Sequence, residues 1–197
     1  MSETPELLVA DAAQWCAWLA SNHATSAGVR VVLAKKGMAG PTRLTHADAL
    51  PEALCYGWID GHLTRRDDAT YCVRFTPRRP RSPWSQRNVE TAERLLAEGR
   101  MQPAGLAEIE RAKADGRWQR AYAGSASLDV PDDLRDALAA SPNAQTMWDA
   151  LTRTNKFAVV YRVQDAKRPE TRARRIQQHV EMLVRGDTPH PQKGKPS

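Results

Sequence analysis

Every segment with a strand-forming pattern lies in the first 80 residues, and this segregation limits the fold more than any other feature. VRVVLA is a β-branched run, and WIDGHLTRR and ATYCVRFTP flank the polar DDA as the two arms of a hairpin. LLVA, near the start, predicts a further short strand. From Ser85 onward the apolar residues recur at helical spacing. The sequence therefore predicts an α+β fold: a small antiparallel sheet with N-terminal helices, followed by a helical C-terminal part.

Capping residues mark where two N-terminal helices begin. Asp11 with Gln14 forms a capping-box pattern, and Thr45 with Asp48 marks the start of a second helix. Pro51 lies inside the second of these helices. Because proline has no backbone N–H to donate, we expect either a kink in this helix or a later start.

Proline and composition divide the rest of the chain. Pro103 and Pro169 each stand at a predicted first helical turn. We predict an α+β part over residues 1–125 and a helical part over 126–186 that packs on it. Residues 187–197 are polar and rich in proline, which predicts a disordered tail.

Composition and missing motifs exclude several classes of protein. Three cysteines, an odd number without close pairing, imply neither a disulfide framework nor a metal site. The N-terminus lacks the features of a signal peptide, and no apolar run reaches the roughly 18–20 residues that span a bilayer. We therefore expect a cytoplasmic protein with reduced thiols and no membrane insertion. The common nucleotide, zinc and serine-hydrolase motifs are absent, and no organic cofactor is indicated.

Two stretches carry most of the excess positive charge. Five arginines and no acid lie between Arg74 and Arg87. Nine lysines and arginines, against three acids, lie between Arg153 and Arg185. With a net charge of +6, this distribution directs attention to anionic partners.

The first basic stretch contains an arginine-rich corner, TPRRPRSPWSQRN, at residues 76–88. Its prolines push the preceding residues toward extended backbone, so the side chains are displayed on a stiff segment. Ser85 stands at a helix N-terminus, where free N–H groups favour anions, and guanidinium groups offer paired donors. The alternative is a loop whose arginines pair with acids elsewhere, with Trp84 as a hydrophobic plug and Ser85 as a helix cap.

The hairpin carries candidate acid–base groups. On a regular strand Asp60 and His62 point to the same face, where a carboxylate can orient an imidazole. Such a pair could serve as a general base or as part of a metal site. The alternative is a turn aspartate before Gly61, followed by a surface histidine.

The second basic stretch contains AKRPETRARRI at residues 166–176. On a helix, Arg168, Arg172, Arg175 and His179 share one stripe. A basic helix of this kind can bind a nucleic acid backbone or another phosphate. The alternative is an ordinary surface helix whose arginines pair with acids.

Four segments of the chain carry a resemblance to a known family: CYGWIDG, RFTPRRPRSPWSQRNVE, GRMQPAGLAEIERAKADGRW and AKRPETRARRI. In these segments the chain resembles the YdeI/OmpD-associated family, also labelled bacteriocin-protection proteins. The resemblance extends from about Trp15 to Arg185. Gln86 departs from the pattern at a commonly basic position, and Pro51 at a commonly acidic one. The resemblance implies a role in stress resistance or in protection against antimicrobial agents. It implies no catalytic mechanism.

These constellations lead to one functional prediction. We expect segments 58–76, 76–88 and 167–179 to form a cleft that binds a small anionic or polar molecule and so sequesters a toxic compound. Trp58 and Trp84 would wall this cleft. The predicted ligand-binding residues are Trp58, Arg74, Thr76, Arg78, Trp84, Ser85, Asn88, Lys167, Arg168, Arg172 and Arg175.

Two other functions compete with this one. The same cleft could belong to a small-molecule enzyme in which Asp60 or His62 transfers a proton and Ser85 or Asn88 orients the substrate. Hydrolysis, cyclisation and isomerisation all fit these residues. Alternatively, the basic C-terminal helix could bind nucleic acid, which predicts a steep salt dependence because binding releases counterions.

Overall fold

A computed structural model describes residues 4–122 and 128–192 of the chain. The chain divides into two compact units, Met1–Ala121 and Tyr122–Ser197, where the sequence predicted a boundary at 125/126. Each unit is considered by itself. Within the described residues, no helix is long and apolar enough to cross a membrane.

Unit 1 is built on a four-stranded sheet with the order β1-β2-β4-β3. The strands are β1 (Glu6–Leu7), β2 (Val29–Ala34), β3 (Trp58–Arg65) and β4 (Thr70–Pro77). β3 and β4 form the predicted hairpin, and β4 also pairs antiparallel with β2.

The sheet is mixed rather than wholly antiparallel. The short edge strand β1 runs parallel to β2, with Glu6 opposite Arg30 and Leu7 opposite Val31. The intervening helix α1 (Ala12–Asn22) returns the chain to the end of the sheet where it started, and such a crossover is what parallel pairing requires.

The helices of unit 1 begin where their capping residues predicted. The Asp11 side chain accepts a hydrogen bond from the backbone N–H of Gln14 and caps α1. Thr45 and Asp48 form a complete capping box at α2 (His46–Cys55). α2 therefore starts directly after Thr45 and continues through Pro51, rather than starting later. The two remaining helices of this unit are α3 (Gln86–Ala97) and α4 (Pro103–Ala114).

The core of unit 1 joins apolar residues of the sheet with those of α1, α2, α3 and α4. Trp15 is fully buried, stacks on Trp18 at 5.3 Å between ring centroids, and lies 5.4 Å from Phe75. Its indole N–H donates to the backbone oxygen of Ala49 at 3.0 Å. This bond satisfies the donor that a buried tryptophan carries and ties α1 to α2.

Unit 2 is helical, as the sequence predicted. Its helices are α5 (Asp132–Ala139), α6 (Pro142–Asp149), α7 (Arg153–Gln164) and α8 (Pro169–Val184). Proline opens α6 and α8 at the first helical turn, where a missing N–H is harmless. The apolar faces meet in a core centred on Leu134, Leu138, Val159, Val163 and Leu183.

The stretch predicted as a disordered tail makes defined contacts in its first part. The side-chain oxygen of Gln192 accepts hydrogen bonds from the backbone of Thr152 and from the amide of Asn155. The buried Asn155 side chain also bonds the backbone of His190 through both its nitrogen and its oxygen. These bonds connect the segment to the start of α7. Residues 193–197 of the predicted tail lie outside the described residues.

Candidate functional site

A surface cleft of about 880 Å³ lies in unit 1, beside the end of β2. Its wall is formed by the 35–43 loop, the first residues of α2, and one side chain of β4. The lining residues are Ala34, Lys35, Lys36, Gly37, Met38, Ala39, Gly40, Thr42, Arg43, Thr45, His46, Ala47 and Tyr71.

This lining is basic. Lys35, Lys36 and Arg43 contribute three cations, and no carboxylate stands among the lining residues, all of which are described. The ammonium group of Lys35 donates to the backbone oxygens of Asp67 and Asp68, at 2.7 and 3.1 Å, and so holds the hairpin turn. Arg43 lies 3.5 Å from Asp11, but its side chain remains 85 % exposed. Lys36 is exposed as well. The cleft therefore presents two exposed cationic groups, Lys36 and Arg43, to an incoming molecule.

His46 stands on the wall of the cleft and is bonded to an aspartate behind it. Its Nε2 lies 2.9 Å from Oδ2 of Asp60, and each side chain is 29 % exposed. His46 is the first residue of α2, and Asp60 lies on β3 opposite Phe75. The packing of α2 on the hairpin therefore creates a carboxylate–imidazole pair.

Tyr71 reaches the same cleft from β4. Burial raises the pKa of the Tyr71 hydroxyl, while the backbone N–H of His46 lowers it in part. The phenol therefore keeps its proton at neutral pH and can donate it in a hydrogen bond.

The hairpin does not pair Asp60 with His62. Asp60 lies opposite Phe75 and Leu63 lies opposite Val73, so β3 has one more residue than β4 between these two pairs. This bulge breaks the alternation that would place Asp60 and His62 on one face. The His62 side chain is exposed and makes no hydrogen bond or ion pair with another described residue. The partner of Asp60 is His46, which no motif in the sequence singles out.

The arginine-rich corner is built around a buried stack. Arg78 is 5 % exposed, and its guanidinium carbon lies 3.6 Å from the ring centroid of Trp84. Arg78 also donates to the backbone oxygen of Pro83 at 3.2 Å. Trp84 is 2 % exposed, and Ser85 caps α3 by accepting from the backbone N–H of Asn88. Trp84 is thus a buried hydrophobic plug and Ser85 is a helix cap, as in the alternative interpretation of this corner.

The remaining predicted residues of unit 1 are dispersed. Trp58 is 1 % exposed, and its indole N–H donates to the backbone oxygen of His23 at 3.2 Å, so it belongs to the core rather than to a cleft wall. Arg74 is exposed on β4, opposite Arg30. Thr76 is half-buried beside Gly28. None of these residues lines the basic cleft.

The basic helix α8 uses its arginines for contacts within unit 2. Arg172 binds both oxygens of Asp133, at 2.6 and 2.8 Å, and also donates to the backbone oxygen of Val163. Arg175 bonds Asp165 at 3.3 Å. Lys167 and Arg168 are exposed just before the helix. The corner lies in unit 1 and this helix in unit 2, so the cleft predicted between them stays a prediction.

His179, the fourth member of the stripe on α8, is buried and gives a pH prediction. Burial, with Arg162 and Arg175 nearby, lowers the pKa of His179 below its ordinary value of 6.5. The unfolded state then binds more protons than the native state below pH 6.5, so stability should fall as the pH drops through this window.

We expect urea unfolding of unit 2 to show a smaller loss of stability between pH 7.5 and pH 5 in His179→Gln than in the wild type. His190→Gln, at an exposed histidine of the same unit, should retain the wild-type loss. An equal loss in His179→Gln and the wild type would contradict the prediction.

Among the described residues, no group of three or more His, Cys, Asp or Glu side chains could hold a metal ion. The cleft offers cations, a phenol and an imidazole instead. The fold and this site define unit 1 as a small α+β domain with a basic surface cleft.

Comparison with known families assigns the chain. Residues 7–108, more than half of the chain, match the family described as a domain of unknown function (DUF8412), and the protein belongs to this family. Residues 127–186 match the family described as bacteriocin-protection, YdeI or OmpD-associated. The match over residues 127–186 confirms, for the C-terminal part of the chain, the family that the sequence suggested. The first three of the four motif segments begin within residues 7–108, which match the other family. No curated protein and no solved structure matched the chain.

Proposed function

We propose that unit 1 binds a small anionic or polar molecule in the basic cleft. The observation that supports this most directly is the lining, which combines Lys35, Lys36 and Arg43 with no carboxylate among its residues. The cleft, at about 880 Å³, is within the roughly 300–1,000 Å³ of sites for small ligands. The proposed class of ligand is the one that the sequence predicted. The proposed site lies at the 35–43 loop, whereas the sequence predicted it at the arginine-rich corner.

The side chains of the cleft divide into two groups with different tasks. Lys36 and Arg43 are exposed and supply charge to a carboxylate or phosphate. Tyr71 and His46 are partly buried and supply directed polar contacts. This combination of exposed charge and partly buried polar groups favours an anionic molecule that also carries a polar group.

The family description of residues 127–186 supports a protective role for such binding. A protein that binds a toxic compound lowers its free concentration, which confers resistance without any chemical change. In this proposal the cleft of unit 1 supplies the binding and sequestration is the route to protection.

The test is thermal stability of the full chain against small carboxylates, phosphates, anionic antibiotics and short DNA, at low and high salt. Binding to the native state alone adds about 2.7 kcal/mol to the free energy of unfolding when the ligand is at one hundred times Kd. We expect at least one small anion to raise Tm at both salt concentrations. Lys36→Ala should weaken this binding about tenfold or more, because a charged hydrogen bond is lost.

Arg81→Ala provides the matched control, since it also removes one cation, from an exposed position in the arginine-rich corner. It should leave the shift intact. A shift that survives Lys36→Ala and disappears in Arg81→Ala would move the site back to the corner. A shift with DNA alone, lost in high salt, would favour nucleic acid and contradict the proposal.

A further inference from the structure

The bond between His46 and Asp60 determines which ring nitrogen can act as a base. An ionised carboxylate only accepts hydrogen bonds, so Nε2 must carry the proton in their 2.9 Å contact. In the neutral ring Nδ1 is then left with its lone pair. Nδ1 makes no hydrogen bond within residues 4–122 and 128–192, and His46 is among the residues that line the cleft. A neutral His46 therefore carries an unprotonated ring nitrogen at this wall of the cleft.

Asp60 orients the ring through the 2.9 Å contact between its Oδ2 and Nε2 of His46. Asp60 itself is not among the lining residues. It acts as a positioning residue, because it holds the tautomer and orientation of His46 without reaching the bound molecule.

Tyr71 supplies the complementary group. Tyr71 is a lining residue of the same cleft, and its hydroxyl retains a proton to donate. A base and a hydrogen-bond donor on one wall are the two groups that enolisation of a carbonyl compound needs, since negative charge moves from the C–H bond to the carbonyl oxygen.

We propose that the cleft catalyses proton transfer in a small carbonyl compound that carries a carboxylate or phosphate. Nδ1 of His46 removes a proton from the carbon next to the carbonyl group. The C–H electron pair becomes the C=C bond of an enolate, and the carbonyl π pair moves to the oxygen, which accepts a hydrogen bond from Tyr71. Exchange results when the proton on Nδ1 is replaced by one from solvent before a proton returns to the same carbon. In an α-hydroxy carbonyl compound, delivery of the proton to the former carbonyl carbon, with transfer of the hydroxyl proton to the other oxygen, gives isomerisation. The balance requires no oxidant, reductant or second substrate.

The cations place the anionic end of such a compound. Lys36 and Arg43 lie on the loop side of the cleft, whereas His46 and Tyr71 lie on α2 and β4. The inference rests on the proposed function, because the same cations must first bind the molecule. The inference adds to that function a chemical reaction of the bound molecule.

The test follows exchange of α-protons for deuterium by ¹H NMR, with the full chain in D₂O. The probes are pyruvate, 2-oxoglutarate and dihydroxyacetone phosphate, and acetone serves as the uncharged comparison. We expect at least one anionic probe to exchange faster than in buffer. General acid–base catalysis contributes about 10²–10⁴-fold, so His46→Gln should lose at least about a hundredfold of the enhancement. His190→Gln, at an exposed histidine in the other unit, should retain it.

Binding of each probe is measured in parallel by its effect on Tm. A probe that raises Tm but exchanges at the buffer rate would overturn the proton-transfer inference and leave the binding function in place. Three anionic probes that neither shift Tm nor exchange would overturn both for this class of compound.

A second measurement determines the tautomer of His46 directly in the unliganded protein. The ¹⁵N NMR shifts of neutral His46 should show a protonated Nε2 and an unprotonated Nδ1. In Asp60→Asn the preference for this tautomer should decline together with the exchange rate. A neutral ring with its proton on Nδ1 would remove the base from the cleft and overturn the inference.

Discussion

Replacement of Trp15 by alanine should lower the free energy of unfolding of unit 1 by about 3–5 kcal/mol. The side chain is fully buried, stacks on Trp18 and packs against Phe75. Its removal leaves a large cavity at the junction of α1, α2 and the sheet. It also removes the N–H that donates to the backbone oxygen of Ala49. Urea unfolding followed by far-UV circular dichroism measures the loss.

Two further variants separate the contributions to this loss. Trp15→Phe keeps an aromatic ring in the core but leaves the Ala49 oxygen without its indole donor, which should cost about 1–3 kcal/mol. Trp18→Ala removes a tryptophan of the same stack that is only partly buried, so its effect should be smaller than that of Trp15→Ala. Equal losses for Trp15→Ala and Trp18→Ala would contradict the central position assigned to Trp15.

Gly105→Ala should also destabilise unit 1, although helix propensity predicts the opposite sign. Gly105 lies within α4, where alanine is preferred to glycine by about 1 kcal/mol. A Cβ atom at this position would lie 2.3 Å from the backbone oxygen of Cys55 and 2.6 Å from the end of the Met101 side chain. The Cys55 oxygen accepts a hydrogen bond from the N–H of Gln102 at 3.0 Å, so it cannot withdraw without breaking that bond.

Overpacking of this kind costs about 1–3 kcal/mol, and more where backbone must move. We expect Gly105→Ala to lower the free energy of unfolding by that amount, which appears as a lower urea midpoint at an unchanged m-value. Ala107→Gly, at an exposed position of the same helix, measures the propensity effect alone and should cost about 1 kcal/mol. A gain in stability from Gly105→Ala would show that propensity outweighs the contact with Cys55.

The features that the sequence predicted correctly depend on residues close together in the chain. The cap at Asp11 and the capping box at Thr45 and Asp48 form within three residues. The hairpin of β3 and β4 is closed by Asp67, whose side chain accepts from the backbone of Ala69 and Thr70. Local geometry of this kind is available to the chain before any tertiary contact forms, so a pattern of residues is enough to identify it.

The features that the sequence did not predict depend on packing between distant segments. The bulge in β3 separates Asp60 from His62, and burial turns Trp58 inward and stacks Arg78 on Trp84. None of these outcomes can be predicted from residue type, because an exposed arginine and a stacked arginine are identical in the sequence.

By itself, the sequence determined the α+β class, the positions where helices begin, the hairpin and the basic character of the protein. The tertiary structure alone decided which groups meet. His46 and Asp60 are 14 residues apart, and they bond because α2 packs against β3 while Tyr71 reaches the same cleft from β4. Helix caps and turns arise from the backbone geometry of a few neighbouring residues. A functional cleft forms when several helices and strands bury their apolar faces against one another. This packing determines the distances between side chains that are far apart in the sequence, and a local sequence pattern does not predict those distances.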